Sequence, residues 1–189
     1  MAEPLPLFPL HAVLFPGAGL QLRVFEPRYL DMLGECGRAG TGFGVCLIAE
    51  GEETGAPATT AGFGTEALIE DFDVGPDGLL LLRVRGARRF RVLRTRVRGN
   101  GLVEADVEWR ADDPVVELQS QHVLLADVLR SVLEQIGADV SVPETRFDDA
   151  AWVGWRLAEL LPMTLPQRLA LLEEDDPDRR LDALLELIG

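Results

Sequence analysis

The hydrophobic period changes at one point, and that change constrains the fold more than any other feature of the chain. Up to Arg110, apolar residues mostly recur at every second position or form short β-rich runs broken by Gly and Pro, the pattern of half-buried strands. Beyond Asp112-Asp113-Pro114 they recur at every third and fourth position, the pattern of amphipathic helices. The 189 residues, 47% of them hydrophobic, are enough to bury a core in both parts. An α+β fold follows, with residues 1–112 as a β subdomain and 113–189 as a helical subdomain.

In the first part strands are predicted at 5–7, 12–14, 20–24, 44–49, 64–72, 79–85, 88–97 and 102–109. One helix interrupts them, from Glu26 to about Cys36: Pro27 suits a first helical position, and Tyr29, Leu30, Leu33 and Cys36 follow helical spacing. Residues 50–60 are small and polar, a surface loop. Within 88–97 the inward set changes parity, from Phe90 and Val92 to Thr95 and Val97. A strand of period two cannot do this without an extra residue, so a β-bulge or sharp bend is predicted at Val92-Leu93.

In the second part the acids Asp112 and Asp113 before Pro114 read as a helix start. The apolar seam is Leu118, His122, Leu125, Leu129, Val132 and Ile136, and Gly137 ends it. A second helix is expected after Asp148, carrying Trp152, Trp155 and Leu160. A third opens at the capping box Thr164-x-x-Gln167 and a fourth at Asp176-Pro177.

Charge narrows the partners. The net charge of -14 disfavours nucleic acid, because most of the surface repels phosphate. Residues 83–98 depart from this with eight arginines and no acid. Their functional reading is a stripe for an anionic partner, led by Arg83, Arg85, Arg89, Arg91, Arg94 and Arg96. Their structural reading, which we favour, is that alternate arginines face water and protect a strand from aggregation. No apolar run is long enough to span a bilayer, no secretory leader is visible, and two cysteines make no disulfide scaffold, so a cytoplasmic protein is expected.

The chain contains no lysine, which removes the Walker-loop lysine and any Ser-Lys peptidase pair. None of Ser120, Ser131 and Ser141 lies in a Gly-x-Ser-x-Gly turn. Gly62-x-Gly64-x-x-Ala67 matches a dinucleotide fingerprint on paper, yet a strand-like run follows it instead of a helix, so close backbone approach is the better account. Asp71 to Gly78 reads as a hairpin turn, since Leu82 stands where a calcium loop needs Glu. His11, Cys36, Cys46 and His122 are not spaced as chelating pairs, and no metal or other cofactor is expected.

Several ordered segments carry a family resemblance. Leu5-Pro-Leu-Phe-Pro-Leu10, Val13-Leu-Phe-Pro-Gly17, Leu22-Arg-Val-Phe-Glu-Pro-Arg-Tyr29, Gly86-Ala-Arg-Arg-Phe-Arg-Val92 and Leu160-Leu-Pro-Met-Thr-Leu-Pro-Gln-Arg-Leu169 together resemble the N-terminal domain family of Lon proteases, especially its standalone bacterial members. The resemblance implies a PUA-like β pseudo-barrel with one short helix, followed by a C-terminal helical bundle. It also implies a non-catalytic role in binding unfolded or partner proteins, in association with proteolysis machinery. Carried over by position, Phe25, Glu26, Arg28 and Asp31 become the candidate partner-binding residues, the last three as exposed members of the surface.

Overall fold

Six strands and five α-helices make up the computed structural model, which describes residues 4–138 and 142–189. Ser141 lies outside the described residues. The chain divides into two units, Met1–Ala111 and Asp112–Gly189.

The first unit holds β1 (Leu5–Leu10), β2 (Gly19–Val24), α1 (Pro27–Ala39), β3 (Phe43–Glu50), β4 (Thr59–Val74), β5 (Leu80–Val97) and β6 (Val103–Trp109). The sheet order is β2-β5-β4-β3-β1-β6, and β6 pairs again with β5. Five strands thus return on themselves as a pseudo-barrel, which removes their edges. β1 runs parallel to β3, with Leu7 beside Gly44, and every other pairing is antiparallel. Leu5, Leu7, Cys46, Phe90, Val103, Ala105 and Val107 fill the core. Phe90 is fully buried, and a Cβ added at Gly44 or Gly64 would lie 2.7 or 2.6 Å from its ring. These two glycines let the strands pass over the ring, so the close approach expected at Gly64 is present.

The bulge falls where the parity change requires it: Val92 pairs with Val107, Arg94 with Asp106, and Leu93 is left over and exposed. Two strand predictions are corrected. Residues 12–14 form no strand, because Leu14 and Phe15 are buried as core side chains and the Leu14 carbonyl accepts from Thr65 Oγ1 at 2.6 Å. Residues 79–85 and 88–97 belong to one strand, β5. Gly86 does not break it; the Phe15 carbonyl passes 2.2 Å from where its Cβ would stand, and Gly86 bonds Gly17 and Ala18.

The second unit contains α2 (Val123–Gln135), α3 (Ala150–Leu160), α4 (Leu165–Glu173) and α5 (Pro177–Ile188). The helix start expected at Asp112-Asp113-Pro114 is absent: residues 112–117 are not helical, and Glu117 bridges Asp149. Asp113 caps nothing there because its carboxylate accepts from Trp155 Nε1 and Arg180. Within α2 the seam runs through Leu125, Leu129 and Leu133, while Ile136 is exposed. The later starts agree with expectation: Asp149 caps α3, both bonds of the Thr164–Gln167 capping box form, and Asp176 caps α5.

Candidate functional site

The entry to α1 sets the geometry of the first unit's open surface. Glu26 ends β2's extended run, and Pro27 occupies the first turn, where its missing N–H costs nothing. Helical period then turns Tyr29, Met32 and Cys36 inward. Tyr29 stacks on Phe8 with ring centres 4.1 Å apart, and burial raises its pKa above the ordinary phenol value. The same period leaves Leu30 and Leu33 on the other flank, where Gly34 and Gly37 add no bulk.

A groove of about 550 Å³ therefore opens between α1 and the β4–β5 hairpin, walled by Leu30, Leu33, Leu68, Ile69, Phe72 and Leu80. Phe72 is 70% exposed and Leu30 42% exposed. On the other side of the helix entry, a cleft of about 400 Å³ lies between β1 and β2, lined by Phe8, Leu10, Leu22, Phe25, Tyr29 and Glu53. Phe25 is 52% exposed. Large apolar side chains left in water on both flanks of one helix are a feature of interaction surfaces.

Of the partner-binding candidates, Phe25 and Glu26 line the cleft and Asp31 is exposed on the first turns of α1. Arg28 is a correction. It is only 6% exposed, because its Nε lies 3.0 Å from Glu26 and its Nη1 donates to the Gly101 carbonyl at 3.2 Å. It ties the helix entry to the β5–β6 turn and is not the exposed residue expected. The walls at Leu30, Leu33, Leu68 and Phe72 escape sequence reasoning. Helical spacing assigns Leu30 and Leu33 to a core, and period two does not reveal that the outer half of β4 projects from the barrel.

The arginines along residues 83–98 meet carboxylates. Arg85 pairs with Glu70, Arg88 with Glu66 at 2.9 Å, Arg91 with Glu108 at 3.4 Å and Arg94 with Asp106 at 2.9 Å. Arg96 joins Glu104 and Asp106, Arg98 joins Glu104 and Glu35, and Arg83 stands 4.0 Å from Asp71. Arg89, the remaining member, is corrected as well: at 5% exposure it does not face water, and it stands opposite Thr65 on β4. Cross-strand acids thus neutralise the local positive charge that the sequence suggests.

Neither thiol is arranged as a nucleophile. Burial pushes Cys46 up to about 12 and raises Cys36, whose Sγ faces the Gly42 carbonyl. His122 belongs to the helical unit, is fully buried, and has Nε2 2.7 Å from Asp182.

Comparison with known proteins assigns this architecture. The family model described as "ATP-dependent protease La (LON) substrate-binding domain" matches residues 4–189, and the chain belongs to that family. A crystal structure of a Lon N-terminal domain protein from Xanthomonas campestris shares 56% identity and a TM-score of 0.84, covering 97% of this chain and 98% of that one. The N-terminal domain of a Mycobacterium avium complex Lon protease has the same fold at 16% identity, with a TM-score of 0.71 over 97% of both chains. Lon protease 3 of Sorangium cellulosum is 27% identical over 201 residues; the match takes in 97% of this chain and 23% of that protein's length.

Proposed function

We propose that this chain is a non-catalytic, cytoplasmic recognition module that holds unfolded or partner polypeptide on the apolar surface flanking α1, in association with proteolysis machinery. Membership of the Lon substrate-binding domain family supports a polypeptide ligand. The observation that carries the reading is the groove between α1 and the β4–β5 hairpin, where Leu30 and Phe72 stand in water. Phe25 and Glu26 line the cleft, Asp31 is exposed on the first turns of α1, and Arg28 fixes the helix entry. The absence of lysine supports a role without Ser-Lys peptidase chemistry or a Walker lysine.

A fluorescence anisotropy titration with a labelled, permanently unfolded polypeptide, such as reduced and carboxymethylated lactalbumin, tests this. Binding in the micromolar range, on the order of -8 kcal/mol, is expected for one recognition unit without avidity. It should change little between roughly 50 and 200 mM salt, whereas contacts through several arginines to phosphates would weaken by orders of magnitude. An RNA oligonucleotide that binds with that steep dependence, while the unfolded polypeptide does not bind, would replace this function with the anionic-partner one.

A further inference from the structure

We propose that the captured polypeptide binds as an added β-strand along the free edge of β2, inside the cleft between β2 and β1. The proposal rests on the polypeptide-binding function above and gives the geometry of its second surface, the cleft on the other flank of α1 from the Leu30–Phe72 groove. One edge of β5 is taken by β4; the other is shared in sequence by β2, from Leu80 to Arg85, and by β6, from Phe90 to Val97. β2 lies at the end of the sheet order and, among the described residues, pairs with β5 alone.

The register shows which backbone groups β2 leaves open. Gly86 donates to the Ala18 carbonyl at 2.8 Å, and Gly19 stands opposite Arg85. Antiparallel alternation then makes Leu20, Leu22 and Val24 the residues that exchange bonds with β5. The N–H and C=O groups of Gly19, Gln21 and Arg23 point the other way, and no described residue meets them. On the faces of the sheet, Leu22 and Val24 are buried, and Gly19, Gln21 and Arg23 are exposed.

Edge strands are ordinarily blunted by proline, bulges or inward charge. β2 carries no proline and no register shift, and its one charge, Arg23, is drawn to Asp77. The cleft beside it is lined by Leu20 and Leu22 on the strand and by Phe8, Leu10, Phe25 and Tyr29 around it. A guest strand about 4.8 Å from β2 would present alternate side chains to that apolar lining.

Charge selects the guest. Two carboxylates, Glu26 and Glu53, line the cleft, and its one cation, Arg23, is paired with Asp77. The fitting occupant is an extended segment of alternating apolar residues with Lys or Arg between them.

The probe is a peptide of about ten residues alternating Val or Leu with Lys or Thr, together with two forms N-methylated at every second amide in opposite registers. One methylated form should bind about tenfold or more weakly and the other within about twofold, because only one set of amides faces β2. In the protein, Gln21→Pro removes an outward N–H and spares the β2–β5 bonds; it should weaken the unmethylated peptide about tenfold with unchanged circular dichroism. If Gln21→Pro does not fold, the two methylated peptides decide alone. Equal binding by both methylated forms, or a folded Gln21→Pro that binds like the parent, overturns strand addition and leaves polypeptide binding standing. Failure of all three peptides while unfolded lactalbumin binds also overturns it. Failure of lactalbumin as well removes the underlying function.

Discussion

The guanidinium of Arg180 lies 3.4 Å from the centre of the Trp155 ring, and both side chains donate to Asp113: Trp155 Nε1 at 2.7 Å and Arg180 Nη1 at 3.1 Å. Arg180 is fully buried and also donates to the Glu174 carbonyl at 2.6 Å. One cation therefore joins the segment before α2 to α3 and α5. Arg180→Ala takes the cation away from the nearly buried Asp113 carboxylate and should cost about 3–5 kcal/mol, read from urea unfolding followed by tryptophan fluorescence. An unchanged midpoint would show that the cluster does not hold the helical unit together.

Two neighbouring glycines should respond in opposite ways. At Gly64 a methyl group would meet Cys46 Sγ, Phe90 Cζ and the Val45 carbonyl, each at 2.6 Å, so Gly64→Ala should cost about 1–3 kcal/mol through overpacking. Gly62 has nothing within 4 Å of that position, and Gly62→Ala should stay within about 0.5 kcal/mol of the parent. Equal losses in thermal unfolding would contradict the packing described around Phe90.

Acid should loosen the β5–β6 ladder. Hydrogen bonds from Arg96 and Arg94 hold Asp106 below the ordinary carboxylate range. Burial alone would raise Glu104, but bonds from Arg98 and Arg96 outweigh it and hold Glu104 below its ordinary value too. Carboxyls depressed in the folded state contribute stability above their unfolded pKa and lose it as pH falls through the folded value. Stability should therefore decline from about pH 4.5 downward, and Glu104→Gln with Asp106→Asn should flatten that decline. A double variant with the parent's acid profile in denaturant titrations would assign the decline to other groups.

What the sequence discloses here is what depends on near neighbours. The bulge at Val92-Leu93 is visible because parity changes within one strand, and the Thr164–Gln167 box because both partners sit in one helical turn. Asp113 looks like a cap until Trp155 and Arg180, distant in sequence, claim its carboxylate. Arg28 looks exposed until Gly101 turns out to stand against it. The groove is hidden for the same reason: whether Leu30 and Phe72 meet a core or water depends on where α1 lies against β4. Phe25 and Glu26 could be singled out from the motif that contains them, without their cleft.

The most direct test of polypeptide capture is a titration of labelled, unfolded lactalbumin against the parent chain and against a Leu30→Glu, Phe72→Glu double variant. Leu30 is 42% and Phe72 70% exposed, so the variant should keep its fold and most of its thermal stability. The account predicts that its affinity falls by about tenfold or more, as charge enters an apolar groove. A folded double variant that binds as tightly as the parent would contradict it.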